Sequence, residues 1–311
     1  MSGSPQHPPA NIALGGIGLM SVAMLVIPVM DIMAKYLSST IAPLEVTLAR
    51  FFFQSVIAFL FVVLGPGLDV LRGTALVPQL ARGLFLAGAS LLFFIAIKYM
   101  PVANALAIFF VEPMILTALS AVFLKESVGW RRWAAVAVGL VGALTILRPG
   151  VADFGWPALL PLGTALLFAL YLLFTRRLSA DGSMLAIQFY TGISGTAFLG
   201  VLLIGTTFFS IPGAMATVPD LSELGMMIAI GAISFSCHGL IVLAFARAAA
   251  SVLAPLTYIE IVSATLLGFI VFGDFPDTLT WVGIGLIVLS GLYIAHRERQ
   301  RGLATENVAK Q

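Results

Sequence analysis

Residues 102–124 read VANALAIFFVEPMILTALSAVFL, an apolar run with a single charge, Glu112, near its middle. Residues 252–272 read VLAPLTYIEIVSATLLGFIVF, again with one charge, Glu260, inside an apolar run. The two glutamates lie 148 residues apart, and the same offset relates Glu126 to Asp274 and Trp133 to Trp281. A spacing that recurs at separate residue pairs marks a sequence written twice. A carboxylate within a segment long enough to cross a bilayer is costly and is by default a functional candidate. Its presence in both copies points to a pathway between two halves.

Composition places the chain in lipid. It is 60% hydrophobic and 10% charged, with a mean hydropathy of +1.08, whereas soluble domains carry about a quarter charged residues. The net charge of +2 decides little. Nucleic acid is excluded as a partner, because the 16 Lys and Arg fall between apolar segments and at the C-terminus without forming a stripe. Cys237 is the only cysteine, so no intrachain disulfide can form. Residues 1–11 contain no Lys or Arg, so they lack the basic start of a cleaved signal peptide. The first apolar segment is therefore read as a retained span.

A helix crosses a hydrocarbon core about 30 Å thick with about 20 apolar residues. Ten stretches qualify: 12–36, 44–64, 79–98, 102–124, 133–147, 156–178, 184–206, 221–246, 252–272 and 279–296, the fifth starting nearer Gly129. Turn residues such as Gly65-Pro66-Gly67, Arg148-Pro149-Gly150 and Ile211-Pro212-Gly213 mark joints. Lipid leaves backbone groups no partner outside the chain, so only helices or a closed barrel span it. Runs without polar alternation exclude the barrel. The reading is an all-α polytopic membrane protein of ten transmembrane helices.

Orientation follows from the positive charges. With the N-terminus inside, the inner side collects Arg72, Arg82, Lys125, Arg131, Arg132, Arg176, Arg177, Arg247, Arg297, Arg299, Arg301 and Lys310, and the outer side only Lys35, Lys98 and Arg148. Arg50 lies inside the second span. Both termini, residues 1–11 and 300–311, are expected in the cytoplasm. Five spans per half is an odd number, so the second copy enters the membrane from the side opposite to the first. The halves, 12–148 and 156–299, are inverted repeats. Lys35-Tyr36-Leu37-Ser38 aligns with Arg176-Arg177-Leu178-Ser179 at a slightly different offset, which implies a short indel. Inverted repeats place a site near the midplane and alternate its access by rocking.

The stretch 101–113 with Val111-Glu112-Pro113, then Phe123-Leu124-Lys125-Glu126 and Trp133, resembles the first EamA domain of the drug/metabolite transporter superfamily. The stretch 251–260 ending in Tyr258-Ile259-Glu260, then Phe272-Gly273-Asp274 and Gly291-Leu292-Tyr293, resembles the second, with Asp274 where that family has glutamate. Together the two cover roughly residues 12–299. The resemblance implies a ten-helix inner-membrane carrier of small metabolites, often amino acids, with aromatic amino acid exporters one branch.

Several residues could carry the mechanism. Pro113 removes a backbone donor beside Glu112 and frees a carbonyl one turn earlier, and Pro255 stands five residues before Glu260. Each carboxylate is open to two readings, proton or substrate coupling and an interdomain hydrogen bond. Both are expected beside a central cavity with Asn104 and Tyr258. Asp31 and Arg50 sit at similar depth on consecutive antiparallel spans and are expected to pair, the alternative being that Arg50 holds a substrate carboxylate in its planar fork. Pro28 would let the first helix bend, which makes Pro28, Pro113 and Pro255 the candidate gating prolines. His238 could relay protons or bond a neighbouring helix, and Asn104 and Gln188 are similar cases. Tyr171 and Tyr190 are buried aromatics whose hydroxyls want partners. Gly139, Gly142, Gly192 and Gly195 read as close helix contacts.

One motif suggests another class. Gly192-Ile193-Ser194-Gly195 matches the nucleophile pattern of intramembrane serine proteases, with His238 as its base. The duplicated ten-span plan speaks against it, as it does against an enzyme in general. No Gly-x-x-x-x-Gly-Lys-Ser/Thr run is present, so ATP-driven pumping by this chain is excluded. No cofactor and no metal are expected. The favoured function is an amino acid exporter working by alternating access, with protons as candidate co-substrate. The alternative is an uptake carrier or exchanger for a nucleoside-like or vitamin-like molecule.

Overall fold

A computed structural model describes residues 10–71, 76–123, 129–147, 155–178, 183–248 and 250–309. Glu126, Lys125, Arg72, Arg148 and Lys310 lie outside the described residues, as does most of the 1–11 tail. Among the described residues the secondary structure is helical throughout. Twelve α-helices follow in order: α1 Ala10–Leu37, α2 Pro43–Leu64, α3 Leu76–Tyr99, α4 Val102–Phe109, α5 Glu112–Phe123, α6 Trp130–Leu147, α7 Leu160–Leu178, α8 Met184–Phe208, α9 Leu221–Phe245, α10 Ala250–Leu253, α11 Ile259–Phe272 and α12 Thr278–Ala309. Eight of the helical segments are long and apolar enough to cross a membrane, and Trp133–Leu147 and Trp156–Leu172 are two shorter apolar ones.

Twelve helices make ten spans because two spans are broken. The fourth span is α4 and α5 joined by a turn at Phe110 and Val111, where Val111 N–H bonds back to Ile108 O at 3.1 Å. Pro113 follows, and its missing N–H and bulky ring disfavour continuing the helix through this turn. The ninth span is α10 and α11 separated by a 3₁₀ turn, Ala254–Tyr258, that contains Pro255. By contrast α1 runs unbroken through Pro28.

Local chemistry sets the other ends. A capping box opens α9, with Glu223 N–H donating to Asp220 Oδ1 at 2.8 Å and Asp220 N–H to Glu223 Oε2 at 2.9 Å. Gly273, at φ 73°, closes α11 in the left-handed conformation that glycine adopts without strain. That turn presents Asp274. The last helix continues well past the apolar stretch 279–296, to Ala309.

The packing maps onto itself when the halves are exchanged. The second and seventh spans, α2 and α8, pack together, as do the fifth and tenth, α6 and α12. The pair α1 with α9 has its counterpart in α3 with α7, α2 with α9 in α3 with α8, and α1 with α11 in α5 with α7. Most of these contacts join one half to the other, so the repeats are interleaved. Small residues permit the approach, since lipid-solvated helices associate through close packing. A Cβ on Gly83 would fall 2.6 Å from Ser194 Cβ, and one on Gly231, which is 148 residues later, would overlap Phe53. Gly142 and Gly283 approach each other's backbone: added Cβ atoms would lie 2.9 Å and 2.7 Å from the opposite carbonyl. Gly192 and Gly195 pack on Ser55 and Phe51, and Gly139 on Met114 and Ser290, as the glycine reading expects.

Candidate functional site

Both midspan glutamates sit where a helix restarts. Glu112 is the first residue of α5 and Glu260 the second of α11. The unpaired N–H groups of a helix start favour negative charge there. The two breaks meet through aromatic rings, with Phe110 and Tyr258 centroids 5.1 Å apart. Tyr258 feels the charge of Glu112, and its hydroxyl lies so close to α12 that any Cβ on Gly291 would overlap it. Asn104 is buried on α4, and its Oδ1 has no hydrogen-bond partner. The surroundings of the two carboxylates differ. Glu112 shares its field with Tyr258, whereas Glu260 is 9% exposed, feels the charge of Asp31 and acts by its own charge on Cys237.

The expected Asp31–Arg50 ion pair does not form. Lys35–Asp274, at 2.6 Å, is the only ion pair among the described residues. Arg50 acts on Asp31 only through its field. Its guanidinium is turned instead to hydroxyls on two other helices, Nη1 donating to Ser90 Oγ at 2.7 Å and Nε to Ser234 Oγ at 3.1 Å. It also stands beside the rings of Phe51 and Phe94, at 5.3 and 5.9 Å. The chain of bonds continues from Ser234 Oγ to Gln54 Oε1 at 2.9 Å, from Gln54 Nε2 to Gln188 Oε1 at 2.9 Å and from Gln188 Nε2 to Phe235 O at 2.8 Å. One polar layer thus ties α2, α3, α8 and α9. Asp31, 3% exposed, and Glu260 stay outside it and accept no hydrogen bond from any described residue.

Arg82, counted among the inner-side cations near the start of the third span, lies inside α3 and is 3% exposed. Its Nη2 donates to Thr191 Oγ1 at 2.9 Å, and its guanidinium lies over the Tyr171 ring at 5.4 Å. Its Nε has no partner, and no carboxylate among the described residues pairs with it. One turn earlier on the same face, Gln79 is also buried, with Oε1 unpartnered. The sequence-read span 79–98 already contains Arg82, and what it left unread is the burial and the Thr191 partner.

An aromatic ladder runs from one break toward Arg82. Tyr258 meets Phe110, Phe110 meets Phe109 at 5.7 Å, Phe109 meets Phe168 at 5.4 Å and Phe168 meets Tyr171 at 5.3 Å. Tyr190 is elsewhere: its hydroxyl donates to Leu71 O at 2.8 Å, beyond the end of α2. His238 Nδ1–H donates to Ser234 O at 2.8 Å, on its own helix, and its ring lies within the fields of Arg50 and Arg82. Ser194 Oγ donates to Leu80 O at 2.6 Å under Gly83. That bond joins α8 to α3, and His238 is not its partner, so the nucleophile pairing that a protease needs is not formed. No group of three potential metal ligands occurs among the described residues.

Comparison with known proteins agrees with this arrangement. The profile of the EamA-like transporter family matches residues 14–148 and 155–295. The S-adenosylmethionine uptake transporter of Rickettsia bellii is 29% identical over 92% of this chain and 94% of its own. A riboflavin transporter of Vibrio cholerae is 31% identical over 67% of each chain. The pseudopaline exporter CntI of Pseudomonas aeruginosa is 28% identical over 93% of this chain and 99% of its own. A solved crystal structure is similar with a TM-score of 0.63 at 22% identity, covering 90% of this chain and 96% of that one, a likeness of fold alone. The chain belongs to the EamA-like transporter family, and its relatives are transporters of small metabolites.

Proposed function

We propose that the chain is a secondary carrier that takes up a nucleoside-like metabolite with a charged amino acid end, S-adenosylmethionine being the leading candidate. The observation that carries this reading is the aromatic ladder from Tyr258 to Tyr171 with buried charges of opposite sign near it. A flat heterocycle stacks on such rings. Asp31 and Glu260, buried without hydrogen-bond donors, suit a cationic centre. The first-favoured amino acid exporter gains no support from the names of these relatives, and the uptake alternative stands nearer to two of them. Direction in a reversible carrier is set by gradients, which suits a family with both uptake and export members.

In this reading the two inverted repeats rock about the breaks at Pro113 and Pro255, discontinuous helices being where such carriers build their sites. Glu260 holds either the substrate's cation or a proton, and exchange between the two couples the steps. Both termini face the cytoplasm of a bacterial inner membrane. Counterflow into proteoliposomes tests the reading, with labelled S-adenosylmethionine, riboflavin, adenosine and phenylalanine, with and without a pH gradient. Saturable S-adenosylmethionine exchange is expected. Exchange of phenylalanine with none of S-adenosylmethionine would restore the amino acid carrier.

A further inference from the structure

We infer that Gln79 and Arg82 form the subsite that reads the α-amino-acid head of the transported molecule, carboxylate on Arg82 and ammonium on Gln79. This deepens the proposed function and rests on its claim that a small metabolite is carried. The two side chains stand one turn apart on one face of α3, where residues three apart are neighbours. Both are more than nine-tenths buried, and each has one polar atom without a partner: the Nε–H donor of Arg82 and the Oε1 acceptor of Gln79.

Those two vacancies are complementary in kind. A carboxylate accepts from Nε–H and Nη of a guanidinium in a planar fork. An ammonium donates to an amide oxygen. An α-amino acid carries both groups on one carbon, at a spacing that adjacent side chains can span. The charges agree as well. Arg50 has the field of Asp31, but among the described residues Arg82 has only the Thr191 hydroxyl, the Ile187 carbonyl at 3.5 Å and the face of Tyr171. A buried cation without an anion is a standing cost to the fold, which a ligand carboxylate removes. Because Tyr171 ends the aromatic ladder, a ligand whose ring stacks there brings its head to Arg82. In the present conformation the subsite is sealed, with α3 held on α8 by Gly83 over Ser194, and it opens as the halves rock.

The test is binding to the purified full chain, read by thermal stabilisation and by equilibrium affinity. The probes are pairs that differ by one carboxylate: S-adenosylmethionine and its decarboxylated form, phenylalanine and phenethylamine, methionine and 3-methylthiopropylamine. Wild type is expected to prefer the carboxylated member of one pair by about tenfold or more, the scale of a hydrogen bond to a charged group. Arg82→Gln should erase that preference and leave the decarboxylated partner bound as before. Arg82→Lys, which keeps charge and loses the fork, should retain part of it, and Gln79→Leu should weaken both amine-bearing members alike. Unliganded Arg82→Gln should melt no lower than wild type, whereas a structural Arg82 would give a lower melting temperature. Which pair responds decides the substrate independently: a preference seen only with phenylalanine would sink the nucleoside-like reading and keep the subsite. A preference that survives Arg82→Gln, no preference in any pair, or no binding at all would overturn the subsite.

Discussion

Glu112 and Glu260 are one position by duplication and two by environment. Each restarts a broken helix, and the breaks touch through Phe110 and Tyr258. Glu112 has Pro113 beside it and the Tyr258 hydroxyl in its field. Glu260 has no proline beside it and feels the charge of Asp31, which in turn lies in the field of Arg50. Under the proposed function Glu260 is left to take a cation or a proton from outside the chain. Duplication preserves where a helix breaks, and the side chains arriving from other helices decide what the break does. Under the proposed function the second copy carries the coupling, and the contact of Phe110 with Tyr258 is the joint between the copies.

The largest effect should come from Glu260→Gln, with a drop in uptake of about 30-fold or more, given 2–5 kcal/mol for removing one member of a buried charge pair. Flat uptake against an imposed pH gradient should accompany it, and an unaltered gradient response would break the comparison. Next in size is Gly291→Ala, which drives a methyl into the Tyr258 hydroxyl and should cost about 1–3 kcal/mol of stability. Melting of the double variant Gly291→Ala with Tyr258→Phe should recover most of that loss, since contacting residues are not additive. Recovery from a distant substitution instead would show that the joint lies elsewhere. Glu112→Gln should slow uptake by about fivefold or less, the scale of one ordinary hydrogen bond of about 1 kcal/mol, and should leave the pH response in place. Were it to match Glu260→Gln, the two copies would be equivalent in function after all. The smallest effect belongs to Lys35→Gln, which breaks the ion pair to Asp274 beyond the end of α11. That pair is partly exposed, so its loss should cost about 0–1 kcal/mol in melting experiments.

Much of this was legible without a structure. Length and polarity of each run marked ten spans, because lipid imposes its demand on every segment separately. The 148-residue offset marked the repeat, and lone charges in apolar runs marked Glu112, Glu260, Asp31 and Arg50. Partners were less legible. Arg50 looked paired with Asp31 because depth along consecutive helices suggested it, yet its bonds go to Ser90 and Ser234, 40 and 184 positions away. Arg82, near the inner end of the third span, gave no sign that its partner would be Thr191, 109 positions away. Gly291 was marked only as part of the Gly291-Leu292-Tyr293 resemblance, and nothing local told that it faces the Tyr258 hydroxyl.

By itself the sequence determined the solvent, the number of spans and the duplication, because each is a property of one segment or of a segment and its copy. It marked three prolines alike, whereas the structure breaks the helix at Pro113 and Pro255 and not at Pro28. Tertiary structure alone decided which side chains meet: Arg50 with two serines, Tyr258 with Gly291, Arg82 with Thr191 and, among the described residues, no anion. The physical reason is that helices already in lipid gain no hydrophobic energy from one another. Their rotation and partners are settled by small-residue contacts and by the hydrogen bonds that buried polar groups can find, and both depend on all ten spans at once.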